Sequence, residues 1–352
     1  MNKKYYESID FLKVLLLALI IISSYTLVNS TGVPILAILN FCVGAFYLIY
    51  GYFVLRDGED LPQRLKRAIR NTAIAFVIAA VVYFALVCLI SLLNNGNIAA
   101  LFNKKAIFEF FVLNGWEPTI GGNIWIISAL LYALIIFYFM NKWKLLRFDI
   151  PIMIVLFLIA IVFGEGAGLI GFNVRGYSYI PGCFLTRAMP YMLLGRIIYK
   201  ARFKRDFRKI KNWMWAAIFF VGVALTVIET NALTSADKLV YINHLIGFIP
   251  MSVAAVMFFL NLKRKFVFGK YYADIGYAGF YLYSVVAQVL YLVIVNNFEE
   301  VPTWVYSLLG LFTLVITLIL AILYARIKNG KLKKADKTDN KGNEEETDET
   351  SV

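Results

Sequence analysis

FLKVLLLALIIISSYTLV, residues 11–28, holds a single charged side chain, Lys13, in an otherwise apolar and hydroxyl-bearing run. At 1.5 Å per residue such a run is long enough, as a helix, to cross the roughly 30 Å hydrocarbon core of a bilayer. It is too long and too continuous for a barrel strand, and in hydrocarbon only helices or closed barrels satisfy every backbone group, so it reads as a transmembrane helix. Lys3 and Lys4 precede it, as in a secretory signal, but no small-residue cleavage site follows, and the run is expected to be retained as the first span.

The pattern repeats along the chain. Of 352 residues 61% are hydrophobic and 16% charged, against about half and a quarter in an ordinary soluble domain. The expected spans are 11–29, 33–55, 72–93, 122–140, 150–164, 180–199, 213–230, 241–262, 274–295 and 302–325. The fold class is therefore all-α, a polytopic membrane protein of about ten transmembrane helices. The fifth span is short and is followed by Gly164, Gly166, Gly168 and Gly171, so a tilt, a break or a re-entrant piece is expected there. Residues 98–114 read as an amphipathic helix lying at the interface. Residues 1–327 form the integral-membrane domain, and 328–352, rich in Lys, Asp and Glu without aromatics, a disordered charged tail.

Charge orients the chain. The net charge of +13 invites a nucleic-acid reading, but the basic residues lie in short clusters between apolar runs and not on one face of a soluble domain. Of 35 Lys and Arg, 29 fall in the N-terminus, in 56–71, 141–149, 196–211 and 263–270, or in the C-terminus; only Lys104, Lys105, Arg175 and Lys238 occupy the alternate loops. The Lys/Arg bias of short loops assigns the first set, and both termini, to the cytoplasm. No internal repeat is evident, which disfavours a transporter built from inverted halves.

Ionisable groups inside a bilayer are costly, so they mark candidate sites. Asp10 and Lys13 are three apart, on one helix face, and are expected to pair. Arg187 lies within the sixth span, followed by Pro190, which interrupts helical hydrogen bonding; a polar cavity is expected around it. On the outer side Glu117, Glu165, Arg175 and Asp237 read as solvated loop charges, while Glu229 ends an apolar helix. His244, the one histidine, begins the eighth span on that side; an ordinary imidazole changes charge near neutrality, so it reads as a base or as a hydrogen-bonded anchor. Trp116, Trp125, Trp213, Trp215 and Trp304 lie near span boundaries, as an interfacial belt does. Cys42, Cys88 and Cys183 lie in or beside apolar runs with no CxxC, and no phosphate-cradling loop, HExxH, GxSxG or cluster of metal ligands occurs, so neither a metal nor a bound cofactor is expected.

Five segments, in order, resemble the acyltransferase 3 family of bacterial membrane O-acyltransferases. IDFLKVLLLALIIISSY is similar to that family's first helix, in which a histidine follows a basic residue by eleven positions, and FYLIYGYFVLR (46–56) to its second-helix pattern ending Ser-Gly-Tyr. NIWIISALLY (123–132) resembles its Trp-centred segment, TRAMPYMLLGRIIY (186–199) its Arg-x-x-Pro-Phe helix, and DIGYAGFYLYSVV (274–286) its late helix ending Tyr-Leu-x-His. Within the superfamily the chain is most similar to the membrane domain of the vancomycin-resistance serine racemases, where a glutamate ending one span precedes a Tyr-led helix, as Glu229 and Tyr241 do here.

The resemblance implies a multi-pass protein of the bacterial plasma membrane that passes an acyl group, acetyl above all, from cytoplasmic acyl-CoA to a hydroxyl on an envelope glycan, with membrane lipid around it. A histidine would deprotonate the poorly nucleophilic hydroxyl. This chain departs from the pattern: the two histidine positions are Ser24 and Ser284, and the serine before Gly51 is Tyr50. The resemblance assigns Lys13, Asp10 and Arg187 to the donor side, with Ser24 and His244 as further catalytic candidates, and Glu229, Trp125, Tyr281 and Ser284 to substrate binding. Two readings stay open, an acyltransferase whose base has moved to His244 or a carboxylate, and a catalytically silent paralogue that binds or transports a small polar metabolite or a glycan lipid.

Overall fold

The structure, a computed structural model, describes residues 4–25, 33–93, 125–164, 183–204, 210–236, 245–262, 269–297 and 308–329. Each apolar segment expected to span carries a helix: α1 (Lys4–Tyr25), α2 (Val33–Val54), α3 (Leu61–Leu93), α4 (Trp125–Lys142), α5 (Asp149–Phe163), α6 (Phe184–Arg187) continued by α7 (Met189–Lys204), α8 (Asn212–Ser235), α9 (Phe248–Asn261), α10 (Gly269–Asn297) and α11 (Leu308–Asn329). A 3-10 turn, Leu145–Phe148, leads into α5. Among the described residues no strand occurs. Among the described residues five helical segments are both long and apolar enough to cross a membrane: Ala37–Val54 of α2, Trp125–Lys142, Leu145–Phe163, Asn212–Ser235 and Leu308–Asn329. The expected interfacial helix at 98–114 lies outside the described residues, as do Gly166, Gly168 and Gly171 after the fifth span and Glu117, Glu165, Arg175 and Asp237.

Several helices extend beyond the apolar runs that mark them, α1 to Lys4 and α10 to Gly269 among them, and for two the physical reason is visible. Helix α3 starts at Leu61, well before the apolar run, because its basic first turns bury Leu61 and Leu65 in the core while Lys66 and Arg67 stay exposed. Helix α11 runs to Asn329, so the first two residues assigned to the charged tail belong to the bundle: Lys328 pairs with Asp274 at 2.6 Å and the Asn329 side chain donates to the same carboxylate at 3.1 Å.

Helix α2 is the centre of the bundle, with residues 41–49 buried without interruption and α1, α7, α8 and α9 packed around it. Its closest neighbour is α7. A Cβ on Gly51 would overlap the Met192 carbonyl, and one on Gly195 the Leu48 carbonyl, so the two backbones touch where only glycine fits. The outward faces are apolar: Ile154 and Leu158 of α5, Phe220 and Ile228 of α8, and Phe312 and Ile319 of α11 are all exposed. In water such faces would drive aggregation, whereas lipid solvates them.

Contacts fix the helix directions. Helix α1 runs parallel to α10, with Phe11 against Tyr272, Lys13 beside Gly276 and Leu17 beside Gly279. Helices α2 and α7 are also parallel, Leu48 meeting Gly195 and Tyr52 meeting Tyr199. Helix α5 is antiparallel to α7, α8 to α9 and α10 to α11.

Candidate functional site

The Asp10–Lys13 pair forms as the helical spacing predicts, with Nζ 2.8 Å from the carboxylate. Lys13 then projects toward α2, its ammonium 6.0 Å from the centre of the Phe53 ring. Beside it lies a cavity of about 110 Å³ lined by Lys13 of α1, Phe46 and Tyr50 of α2, and Tyr277, Phe280 and Tyr281 of α10. A hydrogen bond joins Tyr50 to Thr72 of α3. Tyr281 is bonded to Tyr277, and the two rings meet edge to face at 4.8 Å. One cation, paired but not fully buried, and three phenols thus converge on a space whose remaining described lining is apolar: Phe46, Phe280, Ile127, Leu130, Ala273 and Gly276. Tyr281 was expected at a substrate site; Tyr50 and Tyr277 were not singled out, though the sequence carried a signal for one of them, since Tyr50 replaces the family's serine.

Arg187 lies where the sixth span breaks. The chain makes one turn as α6, turns at Ala188, and resumes as α7 with Pro190, which has no N–H to donate, in its first turn. The guanidinium is buried, 9% exposed, and stacks over the Trp125 ring at 4.3 Å. Tyr47 sits near enough to feel its charge, and donates to the Ile126 carbonyl at 3.0 Å. Arg187 and Trp125 therefore form one unit at the start of α4, the end remote from Lys142. The sequence reading divided them between donor and acceptor sides; the structure instead groups Lys13 with Tyr281 and Arg187 with Trp125.

Glu229 has a structural partner. Its carboxylate accepts the N–H of Ile246 at 2.9 Å and that of Gly247, so it caps the N-terminus of α9 from the neighbouring α8, where unpaired amides and the helix dipole favour negative charge. It does not line the Lys13 cavity. His244 lies outside the described residues, as do the side chains of Ser24 and Ser284. The backbones of those serines belong to α1 and α10, and the parallel register of these helices carries residue 24 to the level of residues near 285.

A buried charge cluster escaped the sequence reading. Asp149, which starts α5, and Arg196 of α7 are each 5% exposed. Arg196 reaches Asp149 at 3.2 Å, Asp57 at 2.5 Å and the Leu55 carbonyl at 2.6 Å, while Lys200 bonds Asp149 at 2.5 Å. The residues that follow α2, the start of α5 and the middle of α7 are tied together at one end of the bundle. Nearby, Arg64 pairs with Asp60 in the segment before α3 and holds its carboxyl below the usual carboxylate range, chiefly through a side-chain hydrogen bond. The signal available was a single acidic residue at the end of the basic segment 141–149.

In comparison with known proteins, the acyltransferase 3 family model, described as an acyltransferase domain, matches residues 6–326, from the first turns of α1 to the last of α11. No curated protein and no solved structure matches the chain.

Proposed function

Because the chain belongs to the acyltransferase 3 family, we propose that it is a membrane acyltransferase that moves an acyl group from cytoplasmic acyl-CoA to a hydroxyl of an envelope glycan, and that it does so from a bundle of about ten spans. The ten-span reading is supported by the helix directions: every parallel and antiparallel contact agrees with spans that alternate in order along the chain. With the basic ends inside, both termini are cytoplasmic and the protein resides in the plasma membrane.

The single observation that carries the enzymatic reading is the cavity at Lys13, a cation held among phenols inside the bundle of a chain that matches the family almost end to end. In the reaction the acceptor oxygen attacks the thioester carbonyl, a C–O bond forms, the C–S bond breaks, and the hydroxyl proton passes to a base while the thiolate leaves with coenzyme A. Lys13, oriented by Asp10, and the Tyr50 and Tyr281 hydroxyls are the groups suited to stabilise the carbonyl oxygen as charge develops on it. Arg187 and Trp125 lie at the opposite end of α4 from the basic 141–149 segment, and so serve the outer, acceptor side.

A second reading keeps support from one observation: the family's histidine positions are Ser24 and Ser284, neither a base of useful pKa. A silent paralogue would bind the same ligands without transfer. Reconstituted protein given radiolabelled acetyl-CoA and cell-envelope glycan separates the two. Transfer that Lys13→Ala abolishes supports the enzyme; binding without transfer, with hydrolysis unchanged by Lys13→Ala, supports the paralogue.

A further inference from the structure

The Lys13 cavity shares a wall with a second, larger space. Between α3, α10 and α11 lies a groove of about 370 Å³ with Ile74, Ile78 and Val82 of α3 on one side and Leu282 of α10 and Tyr324 of α11 on the other. Tyr277 and Tyr281 line both the groove and the cavity. The pair, edge to face and hydrogen-bonded, is thus a partition between a space holding a cation and phenols and one walled by hydrocarbon. Ile74, Ile78 and Val82 belong to the exposed apolar face of α3, so the groove opens sideways, toward lipid.

We propose that, within the acyl-transfer reading on which this inference rests, the groove receives the alkyl tail of a donor acyl group longer than acetyl, with the carbonyl end at Lys13 and the tail running past Tyr277 and Tyr281. Three observations single out the donor. The cavity beside Lys13 has room for a reacting carbonyl but no long apolar extension of its own, and the adjoining space supplies one. Among the described residues the groove walls carry no charged side chain, which suits a chain whose every methylene gains by leaving water. Both spaces also lie toward the basic ends of their helices: Lys13 is within three turns of the start of α1, Tyr277 within three turns of the start of α10, and Tyr324 in the last two turns of α11. In the proposed orientation that is the cytoplasmic half, where acyl-CoA arrives, whereas an acceptor on the outer leaflet would enter from the other end.

The test uses the full chain in lipid nanodiscs, with palmitoyl-CoA carrying a diazirine at the chain end as the probe. Cross-links should map to α3 and α10 around Ile78 and Leu282, and octanoyl-CoA should displace the probe far better than acetyl-CoA, with affinity rising about fourfold per methylene until the groove is full. Ile78→Trp, at an exposed wall position, should remove the gain from chain length and leave acetyl-CoA binding unchanged; Val82→Trp repeats the test at a second site. Equal displacement by acetyl-CoA and octanoyl-CoA overturns the proposal, as does labelling that only bulk phospholipid or a lipid-linked glycan competes away. Chain-length-dependent binding without transfer would uphold the groove and sink the enzymatic reading; acetyl transfer indifferent to chain length would do the reverse.

Discussion

Replacing Asp149 by Asn removes the carboxylate that Arg196 and Lys200 share. Because Asp149 and Arg196 are both 5% exposed, the guanidinium left behind regains little water. Deleting one partner of a buried ion pair costs about 3–5 kcal/mol, the penalty of a desolvated charge without its counterion. Two features lower the figure here. Asp57, itself half exposed, still reaches Arg196 at 2.5 Å, and Lys200 is exposed enough to be rehydrated. The expected loss is therefore near the lower bound, about 2–3 kcal/mol. Detergent-solubilised protein, heated in steps and passed over a sizing column, should lose its monodisperse peak several degrees below wild type. The double variant Asp149→Leu/Arg196→Met, which removes both charges and keeps apolar volume, should be more stable than Asp149→Asn alone. Wild-type melting of Asp149→Asn, or a double variant weaker than the single one, would show that Asp57 alone neutralises Arg196 and refute the account.

Gly51→Ala should cost at least about 2 kcal/mol in the same assay, because its methyl meets the Met192 backbone and α2 must part from α7; an unshifted melting point would mean the helices are not in contact there. Arg187→Lys keeps the charge but loses the planar stack on Trp125, so acceptor KM should rise roughly tenfold while donor KM holds, and Trp125→Leu should mimic it; a rise in donor KM instead would move the pair to the other substrate. In a background lacking native cysteines, Thr234→Cys, exposed at the end of α8, should react with an impermeant maleimide on intact cells, and Lys211→Cys, exposed at its start, only after permeabilisation. The opposite pattern would invert the sidedness and exchange the donor and acceptor ends.

Residues that act through local spacing were legible in the linear chain. Asp10 and Lys13 pair because positions three apart share a helix face, and Pro190 marks the α6–α7 break because it carries no N–H. Glu229 was legible as a residue and not as a partner: that it caps α9 depends on a contact seventeen positions away. Asp149 and Arg196 were not singled out: each stands at the edge of a basic segment, and nothing in either neighbourhood says that the two face each other across the bundle.

By itself the amino-acid order determined that the chain lives in a bilayer, which apolar segments become its helices, and which ends carry the positive charge. Those properties follow from the length and polarity of each run, which hydrocarbon reads one segment at a time. Tertiary structure alone decided that α1 and α10 lie side by side, that Lys13 shares a cavity with tyrosines more than thirty and two hundred and sixty positions away, and that Arg187 stacks on Trp125. Lateral packing is set by side-chain shape and by the few places, Gly51 and Gly195 among them, where backbones touch, and in lipid no difference in hydrophobicity between faces announces those places beforehand.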